Sequence, residues 1–165
     1  MISSGVFYGC DYLNNFEVEA DNPYYVSVEG ALFSKDMKKL VACPSLFRNS
    51  YTIPEGVEEI VDFAFADCYM EKISGSQVIG YGLTKIEFSE SLKVIGDGAF
   101  LNCKRLSDIM LPNGLEVIGS LAFGNGAFFS YDVGQLTVSE KNHFFTTNGK
   151  QLFNKNGTVK IEIFR

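Results

Sequence analysis

The sequence predicts an α/β repeat fold: a right-handed solenoid, strand-rich, with short helical turns and two inserted β-hairpin coils. Three observations carry this prediction. First, the pattern I-x-x-x-[AV]-F-x-x-[CG] occurs four times, over residues 2–10, 60–68, 95–103 and 118–126. Second, a longer pattern leads into two of these copies, over residues 83–95 and 106–118, at an offset of 23 residues. Third, Leu32-Phe33-Ser34-Lys35-Asp36 matches Leu152-Phe153-Asn154-Lys155-Asn156 at an offset of 120 residues, near the two ends. No unit this small can bury its own apolar side, so stacked copies must share one continuous core. At this period the 165 residues make about seven coils.

Each element has a local cause. Ile86 with Phe88, and Ile109 with Leu111, alternate with polar partners as a strand does. Pro112-Asn113-Gly114 is a turn signal that ends the strand. The step from Leu115 to Ile118 supplies a second short extended piece. Ala99-Phe100 followed by Cys103 suits one or two helical turns with Phe and Cys facing inward. The expected core is therefore an aromatic column of Phe7, Phe65, Phe100 and Phe123, with Ile60, Ile95 and Ile118 beside it. Glu29-Gly30 and Asn148-Gly149 precede the Leu-Phe strands of the two end segments as hairpin turns.

Composition narrows the class. Hydrophobic residues make up 46% of the chain and aromatic residues 14%, too much for disorder at a net charge of −6. No run of about 18 apolar residues exists, so no membrane insertion is expected. A pI near 4.8 argues against nucleic acid, which needs a basic footprint. The start, Met1-Ile2-Ser3-Ser4-Gly5, has neither the basic nor the apolar region of a secretory signal.

The joined pattern, L-x-x-I-x-[LF]-[PS]-x-x-L-x-x-I-x-x-x-A-F-x-x-C, resembles the BspA-type leucine-rich repeats of bacterial surface proteins. The segment from Asn22-Pro23-Tyr24-Tyr25 through Leu32-Phe33-Ser34-Lys35-Asp36 to Tyr51-Thr52-Ile53-Pro54 is similar to the hairpin coil that accompanies those repeats. The resemblance covers nearly the whole chain, and residues 1–165 read as one leucine-rich-repeat solenoid domain. It implies a cell-surface or secreted protein whose signal segment lies outside this chain. Two departures stand out. Twelve extra residues separate Cys68 from Leu83, and four more follow the last A-F unit, in the aromatic stretch around Phe128, Phe129 and Tyr131. Insertions in solenoids fall in loops, so these read either as tolerated loop length or, for the aromatic one, as a ligand-contacting loop.

Chemistry finds little to rest on. Cys10, Cys68 and Cys103 occupy one repeat position and read as small buried packing residues. With Cys43 they are expected as free thiols, since no metal-ligand spacing occurs among them. His143 is the only histidine and stands where Pro23 stands in the other hairpin coil. No nucleophile elbow, phosphate loop or dinucleotide fingerprint is present. The acidic pairs Glu58-Glu59 and Glu17 with Glu19 read as solvated. No catalytic residue, cofactor or metal is expected.

The positive signal is the outward face of the strands. Glu17, Thr52, Glu87, Met110 and Thr137 lie between apolar anchors and so point away from the core. Asn15, Ser50, Lys85 and Asp108 flank the first four. Together they form a mixed, mildly acidic surface suited to a protein partner. The reading is a non-catalytic recognition module for adhesion or interaction with a host extracellular protein. The alternatives are a structural spacer, or a glycan-binding module using Phe128, Phe129 and Tyr131. Ile2 begins in mid-repeat and Ile161-Glu162-Ile163-Phe164-Arg165 ends on an apolar strand. Such edges invite pairing, so the chain is expected to be a section of a longer array or to associate end to end.

Overall fold

The computed structural model describes residues 2–10, 12–44, 49–74, 76–124, 135–149, 151–156 and 160–161. Within them lie fifteen short strands and no helix. Residues 12–24 run as extended chain and turns. Strands β1 (Tyr25–Val28) and β2 (Ala31–Ser34) then pair antiparallel. Glu29 and Gly30 close them with φ of 50° and 82°, the left-handed pair whose twist suits a two-residue hairpin. β3 (Lys39–Ala42) returns antiparallel against β2.

From β3 onward the chain winds in coils that each contribute two strands. β4 (Ser50–Thr52) and β5 (Glu59–Ile60) belong to the first. An antiparallel hairpin of β6 (Tyr69–Ser74) and β7 (Gln77–Gly82) follows. This hairpin accounts for the twelve extra residues between Cys68 and Leu83. β8 (Lys85–Glu87) with β9 (Val94–Ile95), then β10 (Ile109–Leu111) with β11 (Val117–Ile118), form the next two coils. β12 (Leu136–Val138) leads into β13 (Phe145–Thr147), β14 (Leu152–Asn154) and β15 (Lys160–Ile161), which pair antiparallel in sequence.

The coils present three sides. On the first, β4 pairs parallel with β8 and β10 with β12. On the second, one six-stranded sheet runs β1-β2-β3-β5-β9-β11, antiparallel at the start and parallel from β3 onward. Its register aligns Leu40, Ile60, Ile95 and Ile118 in one row. Charged partners stack along this sheet: Glu58 accepts from Lys38 at 2.5 Å and from Lys93 at 2.8 Å. Hydrogen bonding to Lys38 and then to Lys93 holds the Glu58 carboxyl down to about 2.

The third side corrects an expectation. The A-F segments do not form helical turns. Residues two before and two after the phenylalanine adopt left-handed φ: Phe63 and Asp67 around Phe65 (both 59°), Gly98 and Asn102 around Phe100 (56° and 60°). Such residues interrupt a right-handed helix. Alternate N–H groups then turn to the next coil: Phe63, Phe65 and Asp67 donate to the carbonyls of Asp97, Ala99 and Leu101 at 2.8–2.9 Å. The residues between close tight turns, as Ala66 N–H does on Phe63 O at 3.1 Å. The next coil repeats the scheme, with Phe100 N–H donating to Ala122 O at 2.7 Å.

The core follows the repeat, with two corrections at the N-terminal end. Phe65, Phe100 and Phe123 are fully buried and stack, with ring centroids 4.9 and 5.2 Å apart. Phe7 is not in this column. It is half-buried and meets Phe16 edge-on at 4.8 Å. Cys10 is exposed, and the buried thiols are Cys43, Cys68 and Cys103. The hairpin coil supplies Cys43, whose carbonyl, with that of Pro44, faces the Cys68 thiol. The hairpin coil therefore occupies the place that the spacing assigned to the residue 2–10 unit. Burial pushes the Cys103 thiol up. None of the four cysteines is in a disulfide.

Close approach fixes two glycines. A Cβ at Gly96 would stand 2.4 Å from Asp62 Oδ1 and 2.5 Å from Asp62 N, and one at Gly119 equally close to Asp97. Each aspartate accepts from the N–H of the residue at its own repeat position in the next coil: Asp62 from Asp97 at 2.9 Å, Asp97 from Ser120 at 2.7 Å. The glycine makes room for the carboxylate that stitches the coils.

Candidate functional site

The strand face carries a groove of about 500 Å³. Its walls include Lys85 and Glu87 from β8, Met110 from β10, Thr137 from β12, and Asp108 and Gln135 just before β10 and β12. Period-two geometry sets these positions. Tyr51, Ile86, Ile109 and Leu111 are buried, so Thr52, Glu87 and Met110 face outward. Met110 is 67% exposed, an apolar side chain left in the middle of the groove.

Polar contacts hold the surrounding groups in place. Lys85 Nζ donates to Glu87 Oε1 at 2.6 Å, and Thr52 Oγ1 donates to Glu87 Oε2 at 3.1 Å. Hydrogen bonding to Lys85, then to Thr52, keeps the Glu87 carboxyl below its ordinary value, and Glu87 in turn raises the Lys85 ammonium. Asp108 Oδ1 accepts from Gln135 N–H at 3.0 Å. Thr137 Oγ1 donates to Ile109 O at 3.3 Å, across the β10–β12 pair. With Glu90 also in the wall, acids outnumber bases, and the face is mildly acidic.

The structure brings Lys85, Glu87, Asp108 and Met110 into one groove, and Thr52 joins them through Glu87. Thr52 also lines an adjoining cleft of about 390 Å³ with Val28, Glu29 and Ser50. Asn15 and Glu17 are exposed and bonded to each other at 3.1 Å, in a segment that forms no strand. Neither belongs to the walls of these two clefts. Phe128, Phe129 and Tyr131 lie outside the described residues, as does Gly126. Sequence reasoning missed Gln135, although it holds the repeat position of Lys85 and Asp108.

Among the described residues no three His, Cys, Asp or Glu side chains are grouped to hold a metal ion. No described helix is long and apolar enough to cross a membrane. His143 is exposed. The arrangement offers shape, charge and one apolar anchor, which is the chemistry of recognition.

Comparison with known proteins agrees with the architecture. The BspA type leucine rich repeat region matches in six copies, over residues 1–82 and 79–163. The fold is similar to a leucine-rich repeat protein from Eubacterium ventriosum, at TM-score 0.68 and 26% identity, over 82% of this chain and 32% of that one. It is also similar to the pneumococcal vaccine antigen PcpA, at TM-score 0.55 and 25% identity, over 78% of this chain and 34% of that one. The chain thus spans about a third of the length of either protein. No curated protein matches it in sequence.

Proposed function

The chain belongs to the BspA type leucine rich repeat family, and on that premise we propose that it is a non-catalytic protein-recognition module of a cell-surface or secreted protein, serving adhesion to a host extracellular partner. The coils in this reading wind right-handed, the hand that parallel crossovers take. The single observation that carries the proposal is Met110, 67% exposed between ordered charged neighbours. An apolar anchor ringed by polar groups is the pattern of an interface centre, where a few residues carry most of the binding energy. The pairs Lys85–Glu87 and Thr52–Glu87 fix the ring before a partner arrives, which lowers the ordering cost of association. Likeness to a vaccine antigen supports a role outside the cell.

The test is binding of the full chain to a panel of purified host extracellular proteins by surface plasmon resonance. Met110→Ala and Glu87→Ala should each weaken the captured interaction by about tenfold or more. Retention of no partner favours a spacer. A partner bound equally by both variants would move recognition off this face.

A further inference from the structure

The turn side carries another cleft, of about 570 Å³, that shares no residue with the strand-face groove. Its walls come from three places in the chain: Gly9 and Tyr12 near the N-terminus, Asp67 with Tyr69 and Met70 at the base of the β6–β7 hairpin, and Asn102 with Lys104 one coil on. Asp67 and Asn102 hold the same repeat position, two residues after the core phenylalanine, and stacking sets them side by side. Asn102 Nδ2 donates to Asp67 Oδ1 at 2.7 Å and to Tyr8 Oη at 3.4 Å. This leaves Asp67 Oδ2 and Asn102 Oδ1 as neighbouring acceptors of fixed direction. Tyr12 is 84% exposed, a large ring with an open face. Lys104 Nζ sits 5.1 Å from the centre of the Tyr69 ring, which holds the ammonium at the rim as a donor.

These parts select a ligand. The cleft has one acid and one base, so it suits a neutral molecule, and the chain's net charge of −6 disfavours polyanions. An open aromatic face wants a flat apolar surface. A pair of acceptors beside an ammonium donor wants adjacent groups that both give and take hydrogen bonds. A hexopyranose presents these together: one face of C–H groups and an edge of vicinal hydroxyls. We propose that this cleft binds a neutral hexopyranoside at the end of a glycan, its apolar face on Tyr12 and its hydroxyls on Asp67, Asn102 and Lys104.

The experiment titrates the full chain with the methyl glycosides of glucose, galactose, mannose and N-acetylglucosamine. The chain has no tryptophan, so tyrosine emission and tyrosine ring signals in NMR report binding directly. At least one glycoside should saturate below about 10 mM. Tyr12→Ala should weaken it by about tenfold or more while keeping the parent's melting curve, because that ring packs little. Asp67→Asn should weaken it with the shape of the cleft retained. Met110→Ala should leave it unchanged, which separates this cleft from the strand-face groove. Saturation by none of the four, equal binding by Tyr12→Ala, or binding confined to sulfated or sialylated glycans would each overturn the assignment.

Discussion

Replacing Phe100 with alanine tests the stacking register at its centre. The side chain is fully buried between Phe65, stacked at 4.9 Å and 16°, and Phe123, stacked at 5.2 Å and 4°. Phe88 adds an edge-on contact at 5.9 Å. Truncation empties a ring-sized volume that three neighbours line, and rigid coils on both sides limit collapse into it. The cost should fall in the upper part of the range for buried aromatics, about 3–5 kcal/mol. A chain of this size shifts by roughly 2–4 °C for each kcal/mol, so the midpoint should drop by about 6–20 °C. Phe7→Ala is the internal control. That ring is half-buried, so its loss should cost about 1–2 kcal/mol. Thermal and urea melts followed by circular dichroism measure both. A Phe100→Ala midpoint within about 2 °C of the parent, or a larger loss for Phe7→Ala, would refute the register.

Two further outcomes follow from the charges and thiols. The Glu58 carboxyl is held at about 2 by Lys38 and Lys93, against an ordinary value of 4.5. Its folded value lies below its unfolded one, so its contribution is full above 4.5 and is lost as pH falls through the interval to about 2. Urea melts between pH 2 and pH 6 should show the parent's advantage over Glu58→Gln shrinking across that interval, and added salt should shrink it at neutral pH. An advantage independent of pH would show that the pair contributes nothing. For the thiols, a disulfide reagent should react promptly with Cys10 alone in the native chain and with all four after unfolding, since Cys43, Cys68 and Cys103 are buried. Prompt reaction of a second thiol would contradict the column.

The sequence carried the coil and missed its third side. The spacing of Phe65, Phe100 and Phe123 located the aromatic stack because a repeated apolar residue must find its own copies when units stack. The outward positions of Thr52, Glu87 and Met110 followed from strand alternation in the same way. The A-F turns read as helical because Phe100 and Cys103 stand three apart, a spacing shared by a helical turn and by a chain of tight turns. What separates the two is left-handed φ at Phe63 and Asp67 and at Gly98 and Asn102; Phe63 does not announce it, whereas Gly98, Asn102 and Asp67 are of types that favour it. The misplacement of Phe7 and Cys10 has another cause. Matching a pattern identifies a unit but not its neighbour, and the hairpin coil, through Leu40 and Cys43, lies next to the first full coil. The site was legible where strands carried it and silent in the turn-side cleft, which depends on Tyr12, Tyr69 and Asn102 meeting from distant parts of the chain.

The turns on the third side also bear on how neighbouring coils are spaced. A helix needs about twice the lateral room of a strand, and a repeat with strands on one side and helices on the other must bend like a wedge-built arch. Here the turns are hydrogen-bonded coil to coil at 2.7–2.9 Å, just as the strands of the six-stranded sheet are. The turn side and the six-stranded sheet therefore hold neighbouring coils at a similar step, whereas on the first side β8 and β10 belong to separate two-stranded sheets. The strand-face groove opens at that break, where Ile86 to Phe88 lie beside Ile109 to Leu111 without forming one sheet. The turns thus keep the coils in step on the side opposite the break, so the groove owes its width to the strands and not to a splaying of the whole coil.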